Sequence, residues 1–505
     1  MEQIRHLIDG EEVDSRDGAN FEVVNPWSRR AKAEVALGTR ADVERAVDAA
    51  RRAFDEGPWP KMGLATRARR LHQLSDLVDE HADELARCDT SDMGRPMREV
   101  RDGDVPRAAY NFRFFADHVV QSTAEVFPMD SGHHAYERFE PAGVVGAIAP
   151  WNFPLMLETW KVAPALAWGN TVVLKPAEQS PSSASLLARL ALEADIPPGV
   201  LNVVHGYGPD GAGQALTESP GVDRITFTGA SATGRAVARA AAANLAPVSL
   251  ELGGKGANIV FADADLEQAV WWSVRAVFSN AGQVCLAGSR LFVEQAIFED
   301  FVSAFVAAAE ALRGGDPLLE TTELGPIASS AQYDKVVSYL EEIPEAGGKI
   351  LTGGPAAGWV VRPTVVVDLP TSARACREEI FGPVVTVHPF EDEGRAVAMA
   401  NDSVFGLNAM CFTQNLSRAH RVAHALRAGT VWVNCFFVRD LRAPFGGFGD
   451  SGVGREGGRY SREFFTEPKA VVMEIDHAAQ AQGVAGDQRA PESAKANESE
   501  KWRKT

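Results

Sequence analysis

Three residues of this sequence have side chains that suit covalent catalysis. Cys285 lies in FSNAGQVCLAGSR, where Gly282 and other small residues leave a thiol accessible and leave space for a substrate. Glu251 ends an apolar stretch at a Gly-Gly pair, which predicts a carboxylate at the carboxyl end of a strand, where α/β sheets build their sites. Asn152 follows another predicted strand and can donate an amide hydrogen bond. Together they would supply a nucleophile, a carboxylate and a hydrogen-bond donor.

Each of these residues could also have a purely structural role. A single cysteine such as Cys285 is most often a small buried core residue. A glutamate such as Glu251 often forms a surface salt bridge, and Asn152 is of a type favoured as a helix N-cap. For each residue taken alone, these alternatives stay open.

The order of apolar and polar segments predicts an α/β protein. From residue 144 onward, short Val/Ile/Leu runs alternate with helical stretches, as expected for a parallel sheet covered on both faces. An amphipathic helix is predicted over 41–54. After Glu251 the pattern begins again, with helices predicted over 265–278, 297–312 and 331–342. A nucleotide-sized domain followed by a second α/β domain is therefore expected.

Two other segments are expected to be extended. The residues 132–141 and 467–475 alternate in polarity, so two pieces far apart in sequence are expected to pair in one sheet. The residues 477–505 carry almost no branched or aromatic side chains and are predicted to be a disordered tail.

Composition excludes several classes of protein. The chain has 505 residues, of which 45% are hydrophobic and 23% charged, so disordered, collagenous and membrane-spanning classes do not fit. Its 50 Lys and Arg residues against 68 Asp and Glu residues give a net charge of −18. Such an acidic surface repels phosphate backbones and anionic lipids, so neither nucleic acid nor a membrane is an expected partner.

The cysteines and the N-terminal residues predict a reducing, cytoplasmic location. The five cysteines are odd in number and show no zinc-ligand spacing, so no metal site is expected. Acidic residues stand near the N-terminus where a signal peptide would have its apolar core.

Seven motifs, in order and across nearly the whole chain, resemble the aldehyde dehydrogenase superfamily. They are PWNFP (150–154), KPAE (175–178), FTGxxxxG (227–234), ELGGK (251–255), GQVCLAGSR (282–290), EEIFGP (378–383) and PFGGFGDSGVGRE (444–456). The resemblance implies an aldehyde substrate and an enzyme with three parts.

The implied parts can be placed on the chain. A Rossmann-type NAD-binding domain would span 1–122 and 142–251, and an α/β catalytic domain would span 252–450. A small bridging sheet, formed by 123–141 and 462–476, would make a homodimer or a homotetramer.

The resemblance also implies a reaction sequence. Cys285 would attack the aldehyde to give a thiohemiacetal, whose oxyanion is held by the Asn152 amide and the backbone N–H of Cys285. Hydride transfer to the nicotinamide would leave a thioester. Glu251 would then act as the general base on the water that hydrolyses it. A coenzyme-A-dependent enzyme is an alternative that Glu251 argues against, and a non-catalytic protein on the same fold is another.

The cofactor residues follow from the same motifs. Lys175 and Glu178 resemble the pair that holds the adenosine ribose, and a carboxylate there repels a 2′-phosphate, which favours NAD over NADP. The helix after Gly229 would set its N-terminus against the pyrophosphate, although Ala230 stands where Ser is usual. The full predicted set is Trp151, Lys175, Glu178, Gly229, Ser231, Gly234, Glu379 and Phe381.

Arginines near the expected substrate tunnel suggest the substrate. The resemblance implies that Arg107, Arg439 and Arg442 lie there with Phe445. Arginine binds a carboxylate with two parallel hydrogen bonds. The RDLR segment resembles the hydroxymuconic and aminomuconic semialdehyde dehydrogenases, whose substrates carry an aldehyde and a carboxylate. Arg439 is expected to face the tunnel rather than Arg442.

The substrate has open alternatives. Either arginine of the RDLR segment would instead serve the scaffold if it pairs with Asp440. Separately, the same chemistry could act on another aldehyde, such as succinic or glutaric semialdehyde, betaine aldehyde or a simple aliphatic aldehyde.

Overall fold

The structure is a computed structural model that describes residues 1–129 and 132–475. The predicted tail, 477–505, lies outside the described residues. The described residues divide into two compact units, the first formed by Met1–Ser122 and Glu140–Glu467 and the second by 123–129, 132–139 and 468–475.

An eight-stranded sheet carries the first half of the first unit. Its strands, in spatial order, are Gly452–Val453, Val248–Glu251, Arg224–Thr228, Val144–Ile148, Thr171–Lys175, Leu201–Val203, His6–Ile8 and Glu11–Val13. The five from Val248–Glu251 to Leu201–Val203 are parallel. Val144–Ile148 is buried along its whole length, as its continuous apolar run predicted.

Strand order reverses inside this sheet and creates a crevice. The chain moves from Val144–Ile148 outward through Thr171–Lys175, and then returns to the other side of the first strand as Arg224–Thr228. Loops leave the carboxyl ends of Val144–Ile148 and Arg224–Thr228 in opposite directions. Ligands bind in the crevice between such loops. The motifs PWNFP and FTGxxxxG begin at those two strand ends.

Helices cover both faces of this sheet. They are Arg40–Asp55, Leu64–Glu80, Ala82–Met93, Met97–Glu99, Val105–Val120, Pro154–Ala167, Ser182–Glu193, Ala212–Glu218 and Ser231–Ala242, with a π-helical turn at Val100–Asp104. The amphipathic helix predicted over 41–54 is present as Arg40–Asp55 and buries Val43, Ala46, Val47 and Ala50. That prediction is confirmed.

A seven-stranded sheet carries the second half of the first unit. Its strands, in spatial order, are Lys349–Pro355, Val361–Val367, Val384–Phe390, Arg290–Glu294, Ala257–Val260, Asn408–Phe412 and Thr430–Val433. All neighbours are parallel except the first pair. The segment that contains Cys285 enters this sheet as Arg290–Glu294.

The helices of the second half lie near their predicted positions. They are Leu266–Phe278, Phe298–Glu310, Ser330–Glu345, Arg374–Arg377, Glu393–Asn401, Leu416–Ala425 and Gly458–Phe465, with 3-10 turns at Ser279–Gly282 and Gln295–Ile297. The helices predicted over 265–278, 297–312 and 331–342 are confirmed to within a few residues.

The described residues also form three smaller sheets. One joins Glu2–Ile4, Arg30–Ala36 and Asn20–Asn25, and one joins Phe405–Gly406 to Phe448–Gly449. The third joins Thr466–Glu474, His133–Pro141 and Val126–Phe127. The two alternating segments predicted to pair are therefore in one sheet. In the described part of the chain, no helix combines the length and the apolar character needed to cross a membrane.

Two buried carboxyl groups lie between helices of the first unit. Asp89 is 1% exposed and accepts a hydrogen bond from the Leu155 N–H at 3.2 Å. Glu158 is fully buried, and neither of its oxygens has a hydrogen-bond partner within residues 1–129 and 132–475. Burial raises the pKa of Asp89 to about 8 and raises the pKa of Glu158 well above its usual range. Both groups therefore favour the protonated form in the folded protein.

Replacement of Asp89 is expected to change how stability depends on pH. The folded protein keeps the Asp89 proton up to about pH 8, whereas the unfolded chain loses it near the ordinary value of 3.8, so stability falls as pH rises between these values. The slope from this one group is at most ~1.4 kcal/mol per pH unit. The Asp89→Asn variant should lose less stability than the wild type between pH 6 and pH 8 in thermal melts, with exposed Asp334→Asn as control. Parallel curves for all three proteins would contradict the assignment.

Candidate active site

The crevice brings together most of the predicted catalytic and nicotinamide-binding residues. A cavity of about 140 Å³ is lined by Asn152, Cys285, Trp151, Glu379 and Phe381, among others. Asn152 and Trp151 follow the strand Val144–Ile148, and Cys285 comes from the loop that precedes the seven-stranded sheet. The cavity is therefore built from both large sheets.

A set of amide hydrogen bonds holds the Cys285 loop against Asn152. The Asn152 amide donates to the Gln283 carbonyl at 2.9 Å, and the Asn280 amide donates to the Asn152 carbonyl at 2.8 Å. Asn280 has a φ of 51°, and Gly282 has a φ of 70°. A Cβ atom at Gly282 would lie 2.1 Å from the Gly382 carbonyl oxygen, so only glycine fits. The second N–H of the Asn152 amide is left to donate to a ligand.

The surroundings of Cys285 favour the neutral thiol. Cys285 is partly accessible, but burial together with the charges of Glu379 and Glu251 raises the pKa of its thiol to about 12. The positive charge of Arg439 acts in the opposite direction. Formation of a thiolate thus depends on nearby positive charge.

Glu251 is a buried carboxylate without a fixed partner. It is 4% exposed, and both of its oxygens lack a hydrogen-bond partner among the described residues. Burial and the neighbouring Glu456 raise the pKa of Glu251 well above its usual range, while Lys161 and Arg439 oppose the shift. A Cβ atom at Gly446 would lie 2.8 Å from Glu251 Oε1, so the glycine of the PFGG motif leaves room for this side chain. A carboxylate that is unbound and buried is suited to act on a water molecule.

Glu456 lies behind Glu251 in a buried polar cluster that sequence reasoning missed. Its carboxylate accepts a hydrogen bond from the Trp160 indole N–H, and the Lys161 ammonium lies 3.5 Å from it and 2.9 Å from the Thr226 hydroxyl. The motif GRE ends on this glutamate, which was the one available signal. Its partners come from other motifs and other elements, so the cluster is visible only in three dimensions.

A larger cleft of about 710 Å³ continues from the cavity along the eight-stranded sheet. Trp151, Lys175, Glu178 and Gly229 are among its lining residues. The Lys175 ammonium lies 3.5 Å from the Glu178 carboxylate and donates to the Pro176 carbonyl at 2.9 Å. The Glu178 side chain is 32% exposed and therefore remains available to ribose hydroxyl groups.

The helix at one wall of the cleft is suited to a phosphate. The helix Ser231–Ala242 has Ala230 at its N-cap, and no side chain caps it. Its first N–H groups are consequently left for an external acceptor, and a helix N-terminus favours an anion. The residues present fit a dinucleotide, with its ribose at Glu178 and its phosphates at this helix.

Two of the predicted cofactor residues do not line the cleft. Ser231 donates its hydroxyl to the Asp450 carbonyl at 2.9 Å. A Cβ atom at Gly234 would lie 2.4 Å from the Leu252 side chain, so this glycine permits close packing of the helix. The Ser231 side chain and the Gly234 position therefore contact other elements of the protein and not the cleft.

Glu379 and Phe381 are held where the cleft meets the cavity. Glu379 Oε1 accepts a hydrogen bond from the Gly254 N–H at 2.9 Å. The Phe381 and Trp151 rings are packed edge-on, with their centres 5.3 Å apart. Phe381 has a φ of 58°, and the Gln332 amide donates to its carbonyl at 2.8 Å. Gln332 also lines the cavity and was not predicted, since nothing in its helical segment marks it.

Two of the three predicted arginines lie together. The Arg439 guanidinium is 3.7 Å from the centre of the Phe445 ring and 5.0 Å from that of Trp160, and the Arg107 guanidinium is 5.9 Å from the same Trp160 ring. Arg107 donates to the Asn111 side chain at 3.2 Å. Within residues 1–129 and 132–475, neither arginine forms an ion pair. Burial and the charge of Arg107 lower the pKa of Arg439 to about 9.

Arg442 is not brought to this place. Its guanidinium is exposed and forms a salt bridge of 2.6 Å with Asp440, the scaffold alternative considered for this segment. Arg439 is the arginine of the RDLR segment that lies beside Arg107.

No metal centre is found among the described residues, where no group of three or more His, Cys, Asp or Glu side chains is placed to hold an ion.

Known proteins resemble this chain over nearly all of its length. The model of the aldehyde dehydrogenase family matches residues 13–471. A 2-hydroxymuconic semialdehyde dehydrogenase from Pseudomonas sp. (strain CF600) is 47% identical, over 94% of this chain and 100% of that protein. A 2-aminomuconic 6-semialdehyde dehydrogenase from Pseudomonas sp. is 43% identical, over 94% of this chain and 99% of that protein.

Solved structures agree with the predicted fold. The NAD+ complex of an aldehyde dehydrogenase from Bacillus cereus superposes with a TM-score of 0.92 at 41% identity, over 94% of this chain and 97% of that one. The prediction of an α/β fold of the aldehyde dehydrogenase type is confirmed. The chain belongs to the aldehyde dehydrogenase family and is an oxidoreductase that acts on aldehydes, as its seven ordered motifs predicted.

Proposed function

We propose that this protein oxidises an aldehyde that also carries a carboxylate, such as 2-hydroxymuconic semialdehyde, to the corresponding dicarboxylic acid. The observation that carries the proposal is the pair Arg107 and Arg439, which share the Trp160 ring and have no acidic partner in the described part of the chain. Two such arginines beside an active site are suited to bind a carboxylate. Two relatives of this chain are named as muconic-type semialdehyde dehydrogenases.

The environment of Arg439 strengthens this assignment. Its Nη2 atom is buried and has no hydrogen-bond partner among the described residues. A buried charge without a partner is costly, and aromatic faces offset only part of the cost. A substrate carboxylate would supply the missing partner.

NAD is the cofactor, as predicted, and NAD+ complexes are known among the solved relatives. When bound, NAD accepts the hydride in the oxidation step. The Glu178 carboxylate is the group that would bind the adenosine ribose, and the uncapped N-terminus of Ser231–Ala242 would bind the phosphates. Glu379 and Phe381 would hold the nicotinamide end beside Cys285.

Cys285, Asn152 and Glu251 each have a different role in the reaction. The Cys285 thiol first releases its proton to solvent, and the thiolate then forms a carbon–sulfur bond to the aldehyde carbon. The C=O π bond opens, and its oxygen becomes an oxyanion that the free N–H of the Asn152 amide stabilises. Loss of hydride leaves a thioester on Cys285. Glu251 then takes a proton from the water that attacks the thioester, which releases the acid and returns the thiol.

The domain roles form part of the proposal. The segments 1–122 and 142–251, with the eight-stranded sheet, would bind NAD, and 252–450, with the seven-stranded sheet, would supply Cys285. The strands within 123–141 and 462–476 would join subunits into a homodimer or homotetramer.

The Glu251→Gln variant is expected to stop after one turnover. Hydride transfer precedes the step that needs the base, so each site should form about one NADH and then hold the acyl group on Cys285. A rapid-mixing assay would measure the burst, and intact-protein mass spectrometry would show the added acyl mass. Normal steady-state turnover without an acyl-enzyme would show that Glu251 is only structural.

Replacement of Arg439 is expected to lower kcat/KM mainly for the substrate that carries a carboxylate. For the Arg439→Ala variant, kcat/KM with 2-hydroxymuconic semialdehyde should fall about ten-fold or more, because the loss of a charged hydrogen bond costs ~1.5–3 kcal/mol. With an uncharged aldehyde of similar size the fall should be smaller, because only the effect of the Arg439 charge on Cys285 and Glu251 is lost. The matched control is Arg442→Ala, three residues away, whose guanidinium is exposed. An equal loss on both aldehydes would contradict carboxylate recognition by Arg439, since it would reflect only a disordered loop or the lost charge beside Cys285.

Glu178 is expected to set the preference for NAD over NADP. In the Glu178→Ser variant the repulsion of a 2′-phosphate disappears, and Lys175 loses its carboxylate neighbour and is free to attract that phosphate. The ratio of kcat/KM with NAD to that with NADP should therefore fall about ten-fold or more, in line with ~1.4 kcal/mol. An unchanged ratio, with Glu218→Gln as control in the same cleft, would show that Glu178 does not face the ribose.

A further inference from the structure

A separate cavity of about 280 Å³ lies on the seven-stranded sheet under the helix Glu393–Asn401. It shares no lining residue with the active-site cavity or the cofactor cleft. The lining residues that matter here are Arg290, Phe292, Cys376, His388, Arg395 and Ala398.

Arg290 places a buried positive charge in the wall of this cavity. It is 6% exposed, and its guanidinium donates to the backbone carbonyls of Lys255 at 3.0 Å and Ala400 at 2.9 Å. These carbonyls fix the guanidinium in place, but they are neutral. No carboxylate of residues 1–129 and 132–475 forms an ion pair with it, and the main charge that opposes its own is the more distant Asp402.

Arg395 provides a second positive charge in the same wall. It lies in the first turn of the helix Glu393–Asn401, and its side chain has no ion pair or hydrogen bond to any other residue that the structure describes. The one acidic residue of the wall, Asp402, forms a salt bridge of 2.9 Å with Arg377. That carboxylate is therefore shared between Arg377 and Arg290, and its single charge does not balance Arg290 and Arg395 together.

Two basic groups in and behind the wall are shifted toward their neutral forms, by burial and in part by the positive charge of Arg290. The Lys255 ammonium is buried and has no hydrogen-bond partner in the described part of the chain. Burial, with a contribution from the charge of Arg290, lowers the pKa of Lys255 to about 7 and the pKa of His388 to about 4. His388 Nε2 is 3.6 Å from Cys376 Sγ, a weak contact that leaves the imidazole without an acidic partner.

We propose that this cavity, here called the Arg290–Arg395 pocket, binds a small organic anion through a carboxylate or phosphate group. The anion would supply a counter-ion to the buried Arg290, and the exposed Arg395 would bind it from the solvent side. Phe292 and Ala398 form an apolar part of the wall that suits a short hydrocarbon body. The site lies apart from aldehyde oxidation and does not depend on which aldehyde the enzyme uses.

Isothermal titration calorimetry would test the pocket directly. Inorganic phosphate and adipate are titrated separately into the NAD-saturated wild-type enzyme without aldehyde, so that the cofactor cleft is filled. We expect one anion per chain in this pocket for at least one probe, in addition to any adipate bound by Arg107 and Arg439, and the tighter probe distinguishes phosphate from carboxylate recognition. Arg395→Gln should weaken that binding about ten-fold or more, in line with one charged hydrogen bond. Ala398→Phe, at an exposed helix position, should block the pocket and abolish binding.

Two control variants distinguish binding in this pocket from binding elsewhere on the protein. Arg29→Gln removes an exposed arginine outside the cavity and should leave the affinity unchanged, which excludes a general effect of net charge. Arg439→Ala should also leave it unchanged, which excludes binding at the proposed substrate site. The proposal is overturned if neither probe binds at millimolar concentration, if Arg395→Gln and Ala398→Phe bind like the wild type, or if either control loses affinity to the same extent. These outcomes leave the proposed oxidation of an aldehyde untouched, since no aldehyde is present.

Discussion

Buried charge without a fixed partner is the constraint on which the active site depends. Glu251 has no hydrogen-bond partner and stands near Glu456, while Arg439 and Arg107 lie close to one another without acidic partners, in each case among the described residues. Each group by itself would be costly to bury, yet Arg439 favours the charged forms of both Glu251 and Cys285. The positive charge of Arg439 therefore offsets the negative charges of Glu251 and of the Cys285 thiolate. A substrate carboxylate would bind to this same guanidinium, so substrate recognition and catalysis share one residue.

The fold places these groups through the ends of its parallel strands. Glu251 is the last residue of one strand, and Asn152 follows the end of another. Cys285 comes from a loop whose left-handed backbone at Asn280 and Gly282 is fixed by amide hydrogen bonds to Asn152. The two sheets thus hold the Cys285 thiol and the Asn152 amide at a fixed position relative to one another. The Glu251 carboxylate has no hydrogen bond to the described residues and is therefore able to bind a water molecule.

The sequence predicts regular elements and local motifs better than long-range contacts. The helix at Arg40–Asp55 is evident because its apolar face repeats with helical spacing. The contacts of Ser231 and Gly234 were not foreseen, because the hydroxyl binds a carbonyl 219 residues away and the glycine packs on Leu252. Nothing in the local pattern marks Gln332, which reaches the Phe381 loop from a helix 49 residues earlier. Periodicity reports burial within one element, whereas such contacts depend on how elements pack.

The central claim is that Arg107 and Arg439 recognise a carboxylate at the far end of the aldehyde. The most direct test compares kcat/KM of the wild-type enzyme, measured as NADH formation, for 2-hydroxymuconic semialdehyde and for its methyl ester. The two molecules carry the same aldehyde and differ in one charge. A preference for the free acid of about ten-fold or more, the value of at least one charged hydrogen bond, is the predicted result. Equal values for acid and ester would contradict the account.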